Sequence, residues 1–202
     1  MDPVRGLARP PKAGRSKTLG GLPSNGMEEQ TERSLIQSAK AGNREALGRL
    51  WDEFTPKLFG YLINTTHDRT LAEDLLQTTW LKVITALPHF QPHGHKFSAW
   101  LFTIAHNECR QHWRKQGREV AFDITKHDQA SDQTGKLETK ILVEQANKLL
   151  SPDDRELIRL RFIADLPLND IAKILKINFI TVRVRLHRAL ARMRTAIINQ
   201  TL

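Results

Sequence analysis

The sequence predicts an all-α protein: two small helical domains joined by a flexible linker, the C-terminal one with a helix-turn-helix. Three observations predict it. From Glu32 onward apolar residues recur at spacings of three and four, and nothing alternates with period two for long enough to be a strand. Residues 117–137 are polar, mixed in charge and poor in large apolar side chains, so they divide two periodic blocks. The second block ends in a helix, tight turn, helix pattern over 168–194, and after Asp170 the chain uses no acidic residue.

Residues 1–29 read as a disordered basic tail, with Pro3, Pro10, Pro11 and Pro23 and almost no apolar periodicity. The tail superficially resembles a transit peptide. A loose tail, or a start assigned upstream of Met27, accounts for it better. Domain one is expected over 30–117. Leu35, Ile36 and Ala39 mark a first helix ending at Gly42. Ala46 to Ile63 form a long second helix that Pro56 should bend or split. Leu71 to Leu87 form a third, stopped by Pro88. The loop Pro88–Lys96 carries three histidines. A fourth helix opens on Ala99, Trp100, Phe102, Ile104 and Ala105 and runs into the basic Arg110–Arg118 stretch.

The linker is expected over 118–137 and the second domain over 138–202. There Leu137–Leu150 is helical, and Ser151-Pro152-Asp153-Asp154 caps a further helix running to Ile163. In the last helix Val182, Leu186, Ala189, Leu190, Met193 and Ile197 share a face able to pack against Ile171, Ile174 and Leu175.

Composition limits what such a chain does. Of 202 residues 40% are apolar and 26% charged, normal for a soluble globular protein. The net charge of +9 is concentrated: residues 1–26 and 96–118 each carry +4, residues 171–202 carry +7, and the remainder −6. Discrete cationic segments separated by acidic ones suit phosphate-facing surfaces. The single Cys109 excludes an intrachain disulfide and suggests a reducing compartment. No apolar run approaches the roughly 18 residues of a membrane span. A soluble, intracellular protein with no membrane insertion is expected.

The last helix is the first candidate site. A short amphipathic helix followed by a longer basic one suits a DNA major groove. Phe179, Ile180, Thr181, Val184, Arg185 and Arg188 lie in the turns that would reach base edges, and Arg183 and Arg192 extend cationic rows on either side. In the fourth helix Asn107, Arg110, Gln111, Arg114 and Lys115 surround Trp113, a cationic surface with an aromatic ring that could stack on an unpaired base. Trp113 reads equally well as a half-buried packing residue. The preceding loop, with His93, His95 and Lys96, could hold an extruded base. In the third helix Glu73, Asp74 and Gln77 rim an apolar stripe containing Trp80 and Leu81, which suits docking on another protein. From pattern alone an ordinary core helix describes that stretch better.

Two other classes fit poorly. His89, His93, His95, His106, Cys109 and His112 could supply metal ligands, but the last three drift around a helix and the loop histidines lack ligand spacing. No metal and no cofactor is expected. No nucleophile–base pair or carboxylate cleft suggests an enzyme. A stand-alone DNA-binding regulator would pair its helix-turn-helix with a sensing or dimerising domain, and the first domain shows neither a Gly-rich phosphate loop nor a long heptad.

Five motifs resemble the sigma-70 family of transcription initiation factors. Asp68-x₃-Ala72-Glu73-Asp74-Leu75-x-Gln77 and Phe97-x₂-Trp100-Leu101-x₂-Ile104-Ala105-x-Asn107-x₆-Arg114 are similar to its promoter-binding domain. Leu150-Ser151-Pro152-x₂-Arg155, Asp170-Ile171-Ala172 and Thr181-Val182-x₂-Arg185-Leu186-x-Arg188-Ala189 are similar to its C-terminal domain. The two-domain form resembles the extracytoplasmic-function (ECF) group. The resemblance implies a bacterial, cytoplasmic protein, a monomer when free, that binds core RNA polymerase and promoter DNA. It also implies control by an anti-sigma factor. Glu73, Asp74, Gln77, Trp80 and Leu81 would dock on core polymerase. His93, His95, Lys96, Asn107, Arg110, Gln111, Trp113, Arg114 and Lys115 would capture and melt the minus-10 element. Phe179, Ile180, Thr181, Arg183, Val184, Arg185, Arg188 and Arg192 would bind the minus-35 element, and the linker would thread the polymerase cleft. Three positions depart from the family pattern: Gln111 where an acid is frequent, Pro167 where a small polar cap is usual, and Lys176 where glycine is common. Lys176 is expected either to adopt an ordinary φ at some strain or to remodel the turn.

Overall fold

The computed structural model describes residues 29–91, 96–117 and 148–200. Among them every regular element is helical: α1 (Glu29–Lys40), α2 (Arg44–Thr66), α3 (Arg69–Ala86), a 3₁₀ turn (Leu87–His89), α4 (Phe97–Lys115), α5 (Pro152–Ile158), a π turn (Arg159–Ile163), α6 (Leu168–Leu175) and α7 (Phe179–Gln200). The tail up to residue 28, the loop histidines His93 and His95, the linker and most of the Leu137–Leu150 segment lie outside the described residues.

Local chemistry sets the helix ends. The Asn43 side chain accepts from the Ala46 N–H, and Asp68 accepts from the Leu71 N–H, each satisfying a donor that the first helical turn leaves open. Ser151 does the same for the Asp154 N–H, with Pro152 just inside the helix. Pro56 does not split α2, which runs through it from Arg44 to Thr66. A proline removes one ladder bond and crowds the preceding turn; packing of Phe54, Leu58, Tyr61 and Leu62, all buried, holds the helix on either side. The helix expected over 151–163 is α only to Ile158 and then widens into the π turn.

Lys176 keeps the turn that the glycine pattern implies. Its backbone is left-handed, φ 55° and ψ 41°, and its N–H reaches the carbonyls of Ala172 and Lys173. The Ile177 N–H closes the same turn on the Ala172 carbonyl at 3.0 Å. Neither an ordinary φ nor a remodelled turn is needed; the turn is retained and the side chain carries the strain. At the next helix start the Asn178 side chain accepts from the Ile180 N–H at 2.7 Å.

The core of α1–α4 centres on Leu50, Leu58, Leu62, Trp80, Val83, Phe97, Leu101 and Phe102, all nearly inaccessible. It continues without a break into Leu157, Leu160, Leu166, Ile171 and Val182 of the second group. The two groups expected from sequence are both recognisable, and they pack on each other. Gly60 of α2 faces the π turn: a Cβ there would stand 3.4 Å from the Ile163 side chain, an ordinary van der Waals contact.

A buried polar cluster sits in this contact. The Tyr61 hydroxyl donates to Glu156 Oε1 at 2.5 Å, His106 Nδ1 lies 2.9 Å from the same oxygen, and Arg159 donates to Oε2 at 3.1 Å. Burial pushes the Glu156 carboxyl up, but the His106 hydrogen bond, the Arg159 charge and the Tyr61 hydroxyl outweigh it and hold it below its ordinary value. Burial, reinforced by the Glu156 charge, raises Tyr61 well above the usual phenol range, and the same two causes raise the buried Cys109 thiol. At the rim Lys57 meets Asp165 at 3.6 Å.

Candidate nucleic-acid and protein-docking faces

Helix α7 is anchored along one line. Val182, Ala189 and Ala196 are buried at intervals of seven, and Leu186 and Met193 are half-buried between them. Leu190, expected on this seam, is 40% exposed. A repeat of seven keeps the seam narrow, and a residue eight past Val182 falls roughly 80° away from it.

Opposite the seam, at about 100° per residue, Ile180, Val184, His187 and Ala191 fall within roughly 40° of one line. All four are exposed, Ile180 at 68%. Arg183 and Arg188 flank the line on its two sides, both exposed. Phe179 and Thr181 are exposed at its start, with the Arg183 guanidinium 5.9 Å from the Phe179 ring centre. This is an apolar strip between cations, with no carboxylate on its own helix to repel phosphate. His187 was not among the sequence candidates, although its spacing of seven from Ile180 and three from Val184 marks it.

Arg185, Arg188 and Arg192 share a face by spacing, but the structure divides their partners. Arg185 lies roughly 140° around the helix from Ile180, toward α5. Its Nε donates to Asp154 Oδ1 at 2.9 Å and its Nη2 to Asp153 Oδ2 at 3.2 Å. Arg192 reaches Asp154 Oδ2 at 3.4 Å while staying 57% exposed. Burial lowers the Arg185 pKa, but the hydrogen bonds to Asp154 and Asp153 outweigh this and raise it.

Helix α4 presents a second cationic face. Asn107, Arg110 and Arg114 are exposed along one line, with Gln111 half-buried beside them and Lys115 exposed at the flank; Lys96 is exposed at the helix start. Trp113 points roughly 120° away from Asn107. It is half-buried against the core, its ring 6.4 Å from and edge-on to His112. The tryptophan that shares the line of Asn107 is Trp100, seven residues earlier and also half-buried. Its ring lies 4.6 Å from Phe90 and 5.6 Å from Phe97. Sequence reasoning singled out Trp113 because it sits among the charges; the spacing of seven points to Trp100.

Helix α3 exposes Glu73, Asp74 and Gln77 beside Leu81, 66% exposed, and Ile84, 42% exposed. Trp80, expected on this surface, is 1% exposed and stacks on Trp51 with ring centres 4.9 Å apart. Its large ring buries more apolar area in the gap against α2 than it could cover on the surface. Lys82 meets Glu108 at 2.6 Å, tying α3 to α4. His106 and Cys109 are buried, and among the described residues no three of His, Cys, Asp or Glu converge as a metal site. Nor is any described helix long and apolar enough to cross a membrane.

Residues 50–119 match the model for Sigma-70 region 2, and residues 148–195 that for Sigma-70, region 4. The sigma factor CarQ of Myxococcus xanthus is 31% identical over 79% of this chain and 93% of its own length. The ECF sigma factor BldN of Streptomyces coelicolor is 27% identical over 79% of this chain but only 64% of its own length. Among solved structures, RpoE in complex with the anti-sigma factor NepR from Bartonella quintana has a TM-score of 0.61 and 30% identity over 74% of this chain and 95% of that chain. CnrH in complex with the cytosolic domain of CnrY has a TM-score of 0.62 and 26% identity over 81% of this chain and 95% of that chain. Two sigma-70 segments in their family order, on the helices that carry the two cationic faces, make this chain a member of the sigma-70 family of RNA polymerase sigma factors, in its extracytoplasmic-function group.

Proposed function

We propose that the chain engages a promoter at two points and core RNA polymerase at a third, within one initiation complex in the bacterial cytoplasm. The observation that carries this reading is the pair of separate cationic faces, one on α4 and one on α7, each inside its own sigma-70 segment. The α7 face, with Phe179, Ile180, Thr181, Arg183, Val184 and Arg188, binds the minus-35 duplex. The α4 face, with Lys96, Asn107, Arg110, Gln111, Arg114 and Lys115, holds the minus-10 strand while its bases unstack. Melting is then a matter of binding energy on unpaired bases, with no covalent step.

The third point is α3, whose exposed Glu73, Asp74, Gln77 and Leu81 dock on core polymerase. An anti-sigma factor is the expected regulator, as the RpoE–NepR pair illustrates for a similar fold. The domain division at 30–117 and 138–202 follows the same assignment. The test is transcription in vitro with purified core polymerase on promoter fragments from a bacterial genome. Initiation that depends on the chain supports the reading. Duplex binding without initiation at any fragment would make the protein a stand-alone regulator instead.

A further inference from the structure

Two acidic residues lie beside the helix assigned to DNA reading, where electrostatics alone would disfavour them. A carboxylate near a phosphate backbone weakens binding, so a DNA-facing surface gains by losing it. Asp154 is nevertheless 7% exposed and takes two arginines of α7, one on each oxygen. Asp153 closes the other end of the Arg185 guanidinium. Arg185 therefore spends its planar fork on α5, on the flank of α7 roughly 140° from the exposed Ile180–His187 line. Its side chain is 29% exposed, against 57% for Arg192.

We propose that Arg185 is a positioning residue: through Asp154 and Asp153 it fixes the rotation of α7 about its apolar seam, so that Ile180, Arg183, Val184, His187 and Arg188 face the groove. The seam alone does not fix that rotation well. Its fully buried members are Val182 and Ala189, neither of them large, with Leu186 and Met193 only half-buried between and beyond them. The charged clasp lies off the seam, toward one side, and its two-ended geometry resists rolling. Arg192 meets the second oxygen of Asp154 through one nitrogen at 3.4 Å and, 57% exposed, remains available to phosphate.

This inference rests on the reading of α7 as the minus-35 helix, and the test separates the two. The full chain with core polymerase selects a preferred sequence from a random duplex library. Variants are then compared on that duplex by anisotropy at one salt concentration, well below their melting temperatures. R188A is the control for the parent reading: it should lose about tenfold in affinity and relax one base preference.

D154N should weaken binding about tenfold, although it removes a negative charge. R185K should lose as much as R185A, because a lysine keeps the charge but not the fork. Neither should alter the base preferences, and D154N with R185K together should be no weaker than the worse single variant. If D154N does not fold, D153N should show a smaller loss of the same sign. The proposal is overturned if either acid substitution leaves affinity unchanged or raises it, or if R185A changes preference at a single base. Failure of the wild type to select any sequence, or of R188A to matter, overturns the parent reading and the proposal with it.

Discussion

Glu156→Ala tests the contact between the two helical groups. Glu156 is 5% exposed and joins Tyr61 and His106 of the first group to Arg159 of its own. Truncation leaves the guanidinium of Arg159, itself 2% exposed, facing a cavity, and removes the nearer of the Tyr61 hydroxyl's two partners, leaving only His106 Nδ1 at 3.4 Å. Removing one partner of a buried ion pair costs about 3–5 kcal/mol. A domain's whole stability is about 5–15 kcal/mol, so the variant should unfold at a visibly lower urea midpoint by far-ultraviolet circular dichroism. Small-angle scattering in native buffer should show a larger radius of gyration as the groups separate. A loss under about 1 kcal/mol with an unchanged radius would refute this reasoning, because a solvated Glu156 costs little to remove.

The pH dependence follows from the same cluster. Because Glu156 is held below its ordinary value when folded, its contribution is complete above about 4.3, the unfolded glutamate value, and is lost as pH falls through the lower folded value. Tyr61 is shifted up, so its contribution is complete below about 10 and is lost as pH rises beyond it. In Glu156→Ala the acid-side loss should shrink, which urea midpoints measured from neutral pH to below 4 would reveal.

Lys176→Gly should stabilise the chain by about 1 kcal/mol, since glycine adopts the left-handed turn without the Cβ penalty, and urea melts check it. Leu81→Asp should weaken core-polymerase binding at least tenfold in a pull-down titration, with a melting temperature near that of the wild type because Leu81 is 66% exposed. Trp80→Ala should instead cost about 3–5 kcal/mol of stability. Arg110→Ala should reduce the salt dependence of single-stranded DNA binding by about 0.7 in log–log slope and leave the fold intact. Trp113→Ala should lower the melting temperature as well, because its ring packs against the core.

Much of the architecture was legible in the sequence because apolar period and capping chemistry are local. Asn43, Asp68 and Ser151 announce helix starts wherever the rest of the chain lies. Five motifs spaced across both groups were enough to suggest the family. What spacing could not reveal is which way an edge residue turns. Trp80 and Glu73 stand seven apart on α3, within roughly 20° of each other, yet one is buried and the other exposed. The difference is the indole of Trp51, brought alongside by α2. Trp100, by contrast, is legible from spacing: it stands seven residues before Asn107 on α4, whereas Trp113 falls roughly 120° away.

By itself, then, the sequence determined the helices, their order, the acid-free final helix and the family to which they belong, since each depends on neighbours within a few residues or on a fixed motif. Only the tertiary structure decided that Arg185 turns to Asp154, that Trp80 lies inside, and that Glu156 joins the two groups. Those pairings link residues 31, 29 and 95 positions apart along the chain, counting Trp80 to Trp51 for the second. A side chain's partner at such a distance is set by packing, which no local pattern encodes.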